Sequence, residues 1–180
     1  MRLYIAIVSA LSRILAVIAM FALLAAVLVV SDMVFERYAL GRSTAWQTEF
    51  TTYAIVAATF LGAPWVLIER GHVNVDLLQI SVRPRLRVVL EASAGLASLL
   101  FVALLAYAGW LHFHEALSNG WTSDTVTATP LWIPLLPMPV GTGVLALQYI
   151  AELMRLFSET PSERATRQAP FADTTKAARP

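Results

Sequence analysis

The sequence contains no cysteine, so disulfide scaffolds, Cys-ligated zinc, iron–sulfur clusters and thiol relays are excluded together. Charge is nearly as scarce. Asp, Glu, Lys and Arg make up 14% of 180 residues and the formal net charge is +1. That balance leaves no basic surface with which to argue for nucleic acid as a partner. A 58% hydrophobic composition and a mean hydropathy of +0.66 take the place of the missing charge. Soluble domains are roughly 45–50% apolar even with glycine counted, so an ordinary soluble domain is excluded too.

Four apolar stretches cover residues 14–30, 50–68, 88–113 and 131–157. Each is about long enough to cross a ~30 Å hydrocarbon core at 1.5 Å per residue. None carries the polar stripe of a soluble amphipathic helix. Backbone groups in lipid must satisfy one another, so the spans are expected to be helices. The expected fold is all-α, a polytopic membrane domain over residues 1–157 with spans near 14–34, 47–68, 88–113 and 131–157. The first run is longer than a signal-peptide core and three more follow it, which favours a retained span. Residues 3–11 are also apolar, so that helix can start earlier, with Arg13 snorkelling to the interface. Residues 158–180, rich in Ser, Thr, Pro and charge, read as a disordered tail.

Arg and Lys set the orientation. The N-terminal segment, the second loop and the tail hold eleven of them, against Arg37 and Arg42 in the first loop and none in the third. Both termini and the second loop are therefore expected in the cytoplasm. The segments 31–45 and 114–130 then face outward.

The spans carry packing features but little chemistry. Ala54, Ala58 and Gly62 repeat at helical spacing on the second helix, and Ala94, Ser98 and Ala106 lie near one face of the third, as close helix packing in lipid requires. Glu49, Glu91 and Glu152 sit near helix ends rather than at the bilayer centre, where a carboxylate would mark an ion route. His72 falls at the opposite membrane face from His112, and His112 and His114 are about 200° apart on a helix, so no haem or metal site is expected. Ser93 and Ser98 have no His at matching depth for nucleophilic chemistry. The reading is of a non-enzyme without a cofactor. Pro134, Pro137 and Pro139 predict a kinked or late start to the fourth helix. Glycine, His72 and Asp76 in the run ERGHVNVD suggest a short interfacial turn.

Taken in order, these motifs resemble the small membrane subunit of tripartite ATP-independent periplasmic (TRAP) transporters, the DctQ-like family. Arg37-Tyr38 follows the first helix, Trp46 and Glu49 open the second, and Phe60 to Ala63, including Gly62, lie within it. The run Arg70-Gly71-His72, with Val73, Val75 and Asp76, follows, and Trp132, Pro134 and Pro139-Val140-Gly141 open the fourth helix. Gln47-Thr48-Glu49 stands where the family often has two adjacent acids, and no extra residue separates Arg70 from Gly71. The resemblance implies a bacterial inner-membrane scaffold beside a large multi-span permease and a periplasmic substrate-binding protein. It further implies sodium-coupled uptake of organic acids, with the transport sites in the large subunit. Arg37 and Glu49 are assigned on that basis to contacts at the outer face, and Arg70, His72 and Asp76 to a cytoplasmic node. The rival reading is a stand-alone small four-helix secondary transporter. It calls for a carboxylate deep in the first span, and residues 14–30 have none.

Overall fold

The computed structural model describes residues 2–69 and 84–158. They form α1 (Arg2–Ala39), α2 (Ala45–Ile68), α3 (Pro84–Ser118), a single turn α4 (Trp132–Leu135) and α5 (Pro137–Ser158). Four segments are long and apolar enough to cross a membrane: Leu3–Ala39, Ala45–Ile68, Ala92–Ser118 and Trp132–Leu156. Four crossings bring the start of α1 and the end of α5 to one side. The Tyr4 hydroxyl accordingly donates to the Leu147 carbonyl at 3.1 Å.

The first helix begins at Arg2, so Arg13 lies within it between two apolar runs. It continues past residue 34 because no breaker intervenes before Gly41. There a left-handed φ of 63° lets the Arg42 N–H reach the Glu36 carbonyl at 3.2 Å. The connection to α2 is consequently residues 40–44, much shorter than the segment 31–45 suggested by hydropathy. On the third helix, likewise, His112 and His114 are helical, and the loop that follows covers residues 119–131. α1, with 38 residues, is about 57 Å long, well beyond the ~30 Å core, so it must tilt or protrude.

Burial follows a three–four alternation. Val8, Ser12, Leu15, Ala19, Ala22 and Ala26 turn inward on α1, Gln47, Thr51, Ala54, Ala58 and Leu61 on α2, and Pro137, Gly141, Val144, Gln148 and Ala151 on α5. Ala16, Pro64 and Thr142 widen these stripes. On α3 the inward positions Gly95, Val102, Gly109 and Ala116 fall at intervals of seven. The expected third-helix face of Ala94, Ser98 and Ala106 is not the buried one. Such periods are those of knobs-into-holes packing between helices crossing at shallow angles. The residues are small because lipid supplies no hydrophobic drive between helices, and close backbone approach must supply the attraction instead.

α1 packs along α2, α2 against α5, and α5 against α3, with α1 also touching α5. The core at their meeting point is Leu15, Ala19, Ala58, Leu61 and Val144, with Ala22 and Ala57 against it. α3 packs on α4 and α5 and stands off from α1 and α2. The proline cluster breaks the last span at Leu136. Pro137 cannot donate a backbone hydrogen bond, and it occupies the first position of α5, where none is needed.

Candidate functional site

Most polar side-chain contacts lie at the end of the bundle opposite the termini. Gln47 is wholly buried, and its amide nitrogen donates to Glu36 Oε2 at 2.8 Å, tying the first turn of α2 to the last turns of α1. One step outward, Arg37 Nη2 donates to the buried Thr44 hydroxyl at 2.9 Å. The Thr48 hydroxyl donates to the Thr44 carbonyl at 3.1 Å, within 3.5 Å of the Met33 sulfur. The short 40–44 connection is thus bracketed by two side-chain pairs.

Glu49, one position beyond Thr48, faces the other way and meets the 119–131 loop. Its Oε1 accepts from the Tyr53 hydroxyl at 2.7 Å, and its Oε2 accepts from Thr125 at 2.9 Å and from Thr127. The loop has its own frame. Ser123 N–H donates to Thr129 O at 2.9 Å, Leu131 N–H to Trp121 O at 2.9 Å, and Thr122 pairs with Pro130 in an isolated antiparallel bridge. Thr125, Val126, Thr127 and Ala128 make the tip, closed by Ala128 N–H on Thr125 O at 3.0 Å, and Val126 is 93% exposed. A carboxylate that accepts three hydroxyl donors from two elements holds that hairpin against α2, since hydrogen bonds to an ionised group are the stronger kind.

The other sequence-predicted positions are more scattered. Tyr38 and Trp46 are exposed, and Trp132 is 37% exposed. A Cβ added at Gly62 would meet the Ala19 methyl at 3.6 Å, and Gly141 lies directly against the Phe60 and Leu61 backbone. Pro134 borders the space beside Glu49 and Tyr53, while Pro139 is half-buried near the start of α5. Arg70, Gly71, His72 and Asp76 lie outside the described residues, as does the tail from residue 159. Glu152 pairs with Arg155 at 3.1 Å. Among the described residues no group of three His, Asp or Glu could hold a metal ion.

Several contact residues were not singled out from sequence: Glu36, Thr44, Gln47, Tyr53, Thr125 and Thr127 at this end, and Ser12, Gln148 and the Arg13–Trp65 pair toward the other. Ser12 Oγ donates to Val8 O at 2.9 Å and lies 3.5 Å from Oε1 of the buried Gln148. The available signal was two amides, Gln47 and Gln148, at inward positions of apolar spans.

These features define a four-span helical membrane protein whose described polar groups bind helices and loops to one another. A family model for the DctQ component of tripartite ATP-independent periplasmic transporters matches residues 26–159, and the chain belongs to that family. It is thus the small membrane subunit of a transporter whose other parts are a large permease and a periplasmic binding protein, and a multi-pass inner-membrane protein. No curated protein matches the chain.

Proposed function

We propose that this subunit is a fixed scaffold for the large permease and part of the platform on which the binding protein docks, in a sodium-coupled system that takes up organic acids. Both termini face the cytoplasm in this reading, supported by eleven basic residues in the N-terminal segment, second loop and tail against two in the first outer loop. The 119–131 hairpin then projects into the periplasm.

The observation that carries the docking role is the attachment of that hairpin to α2 through Glu49, Thr125 and Thr127. A loop held in one conformation loses less entropy on binding a partner than a free one. Its exposed tip, with Asp124 and Val126, is the surface on offer. Arg70, His72 and Asp76 are assigned to the cytoplasmic node that joins α2 to α3.

The test is uptake by the reconstituted three-part transporter as binding protein is titrated, for wild type and for Glu49→Ala and the double variant Thr125→Val/Thr127→Val. Normal assembly with a several-fold higher half-saturating concentration of binding protein is expected. Wild-type saturation in both variants would overturn the docking role. A mild-detergent pull-down that returned this chain alone, still transporting in liposomes, would overturn the scaffold role.

A further inference from the structure

Because α3 stands off from α1 and α2, a groove of about 1120 Å³ opens between them, floored by Leu145 and Tyr149 of α5. Its walls are mostly apolar, with small residues such as Ala16, Ala63 and Ala97 among larger ones such as Met20 and Phe101. The length of the groove decides what fits. Along α1 the lining runs from Arg13 to Leu23, and along α2 from Ala58 to Val66, about 15 Å and 12 Å at the helical rise. That is half of a ~30 Å hydrocarbon core. A transmembrane helix from another protein would need a track through both leaflets, whereas an acyl chain needs the depth of one.

The terminus-side end of the groove is marked by charge. The Arg13 guanidinium lies 5.5 Å over the Trp65 ring, and the Arg13 side chain is exposed. The Glu152–Arg155 pair is the ion pair found among the described residues, so no described carboxylate neutralises Arg13. Tyr149 lines the same end, next to Gln148, which meets Ser12 on α1. Tryptophan favours the headgroup level of a bilayer, and a guanidinium presents a donor fork that matches phosphate oxygens. Apolar depth for one leaflet below a guanidinium that no described carboxylate pairs is complementary to a lipid with a negative headgroup.

We infer that this groove binds one anionic glycerophospholipid from the leaflet on the side of both termini, its phosphate on Arg13 and an acyl chain between α3 and the α1–α2 pair. The site is independent of the docking role proposed above.

The test uses the full chain in mild detergent, titrated with dioleoylphosphatidylglycerol and read by native mass spectrometry. One lipid per chain is expected to bind saturably. Arg13→Gln should weaken it about tenfold through loss of charge-assisted hydrogen bonds. Ala97→Phe, at an exposed wall position, should remove it by filling the groove. Since the chain has no cysteine, Ala97→Cys can carry a single photo-crosslinker in native membranes, where an adduct of phospholipid mass is expected. Equal retention by wild type, Arg13→Gln and Ala97→Phe would overturn the inference. An adduct with the large membrane subunit would also overturn it, making the groove a protein interface.

Discussion

Gly141 offers the sharpest test of how the helices are held together. A Cβ added there would lie 2.5 Å from the Phe60 carbonyl carbon, closer still to its oxygen, and 3.1 Å from the Leu61 nitrogen. Ordinary contact begins near 3.4 Å, so α2 and α5 would have to separate by more than 0.9 Å. Both partners are backbone, so no side chain can rotate away. Pro64 adds to this. Its ring nitrogen has no hydrogen to give the Phe60 carbonyl four residues earlier, which leaves that oxygen facing Gly141. Separation would also loosen Ala58, Leu61 and Val144 in the core. Overpacking costs typically 1–3 kcal/mol, and a backbone-on-backbone clash belongs near the top, at about 3 kcal/mol. At 2–4 °C per kcal/mol for a chain of this size, Gly141→Ala should lower Tm by roughly 6–12 °C. Gly143, two residues on, has nothing within 4 Å of its added Cβ. Gly143→Ala should leave Tm unchanged or raise it, since alanine is the better helix former by about 1 kcal/mol. Fluorescence-detected size exclusion after graded heating measures both. Equal behaviour of the two variants would refute the close crossing. Rescue of Gly141→Ala by trimming the Phe60 side chain would refute its backbone origin.

Substitutions at two further positions compare a buried amide that makes a close hydrogen bond with one that does not. Gln47 is the donor to Glu36, so Gln47→Leu should cost about 1–3 kcal/mol, and Gln47→Glu, which sets a second carboxylate against the first, should cost more. The opposite ranking in thermal unfolding would mean that Glu36 does not depend on that amide. Gln148 has no partner for its buried Nε2 and only a 3.5 Å contact for Oε1, so Gln148→Leu should be neutral or raise Tm. A drop equivalent to more than about 1 kcal/mol would show that the amide is satisfied in the membrane.

How far the sequence carried depends on which physical quantity set each feature. Hydropathy alone marks the four spans, because their sum of transfer energies does not depend on orientation. The helix ends were less legible. α1 runs to Ala39 through Asp32, Glu36 and Arg37, since a helix can leave the hydrocarbon and continue in water until Gly41 turns it. The inward faces were only partly legible. In a lipid-soluble helix every face is apolar, so hydrophobic periodicity vanishes and residue size must replace it. Ala54, Ala58 and Gly62 were found that way, whereas α3 hides its stripe among equally small neighbours, with Gly95 and Gly109 against Leu153 and Met138. Glu49 could be picked out as an interfacial acid, but its partners could not. Thr125 and Thr127 are more than 70 residues away, and only the fold of the 119–131 hairpin brings them to it.

Polar ties between helices also bear on the proposed scaffold role. Glu36–Gln47 joins α1 to α2 near the loop end, and the Tyr4 hydroxyl on the Leu147 carbonyl joins α1 to α5 toward the terminus end. Sliding α1 by one heptad would preserve the apolar and small-residue matching, because the stripe repeats every seven residues. It would also carry Glu36 about 10 Å from Gln47 and leave the buried Gln47 amide without its partner. The apolar repeat therefore permits several registers and the polar residues select one. A helix that must move during transport needs two arrangements of similar energy. α1, tied near both ends with small residues packed between, has one, as the proposed fixed scaffold requires.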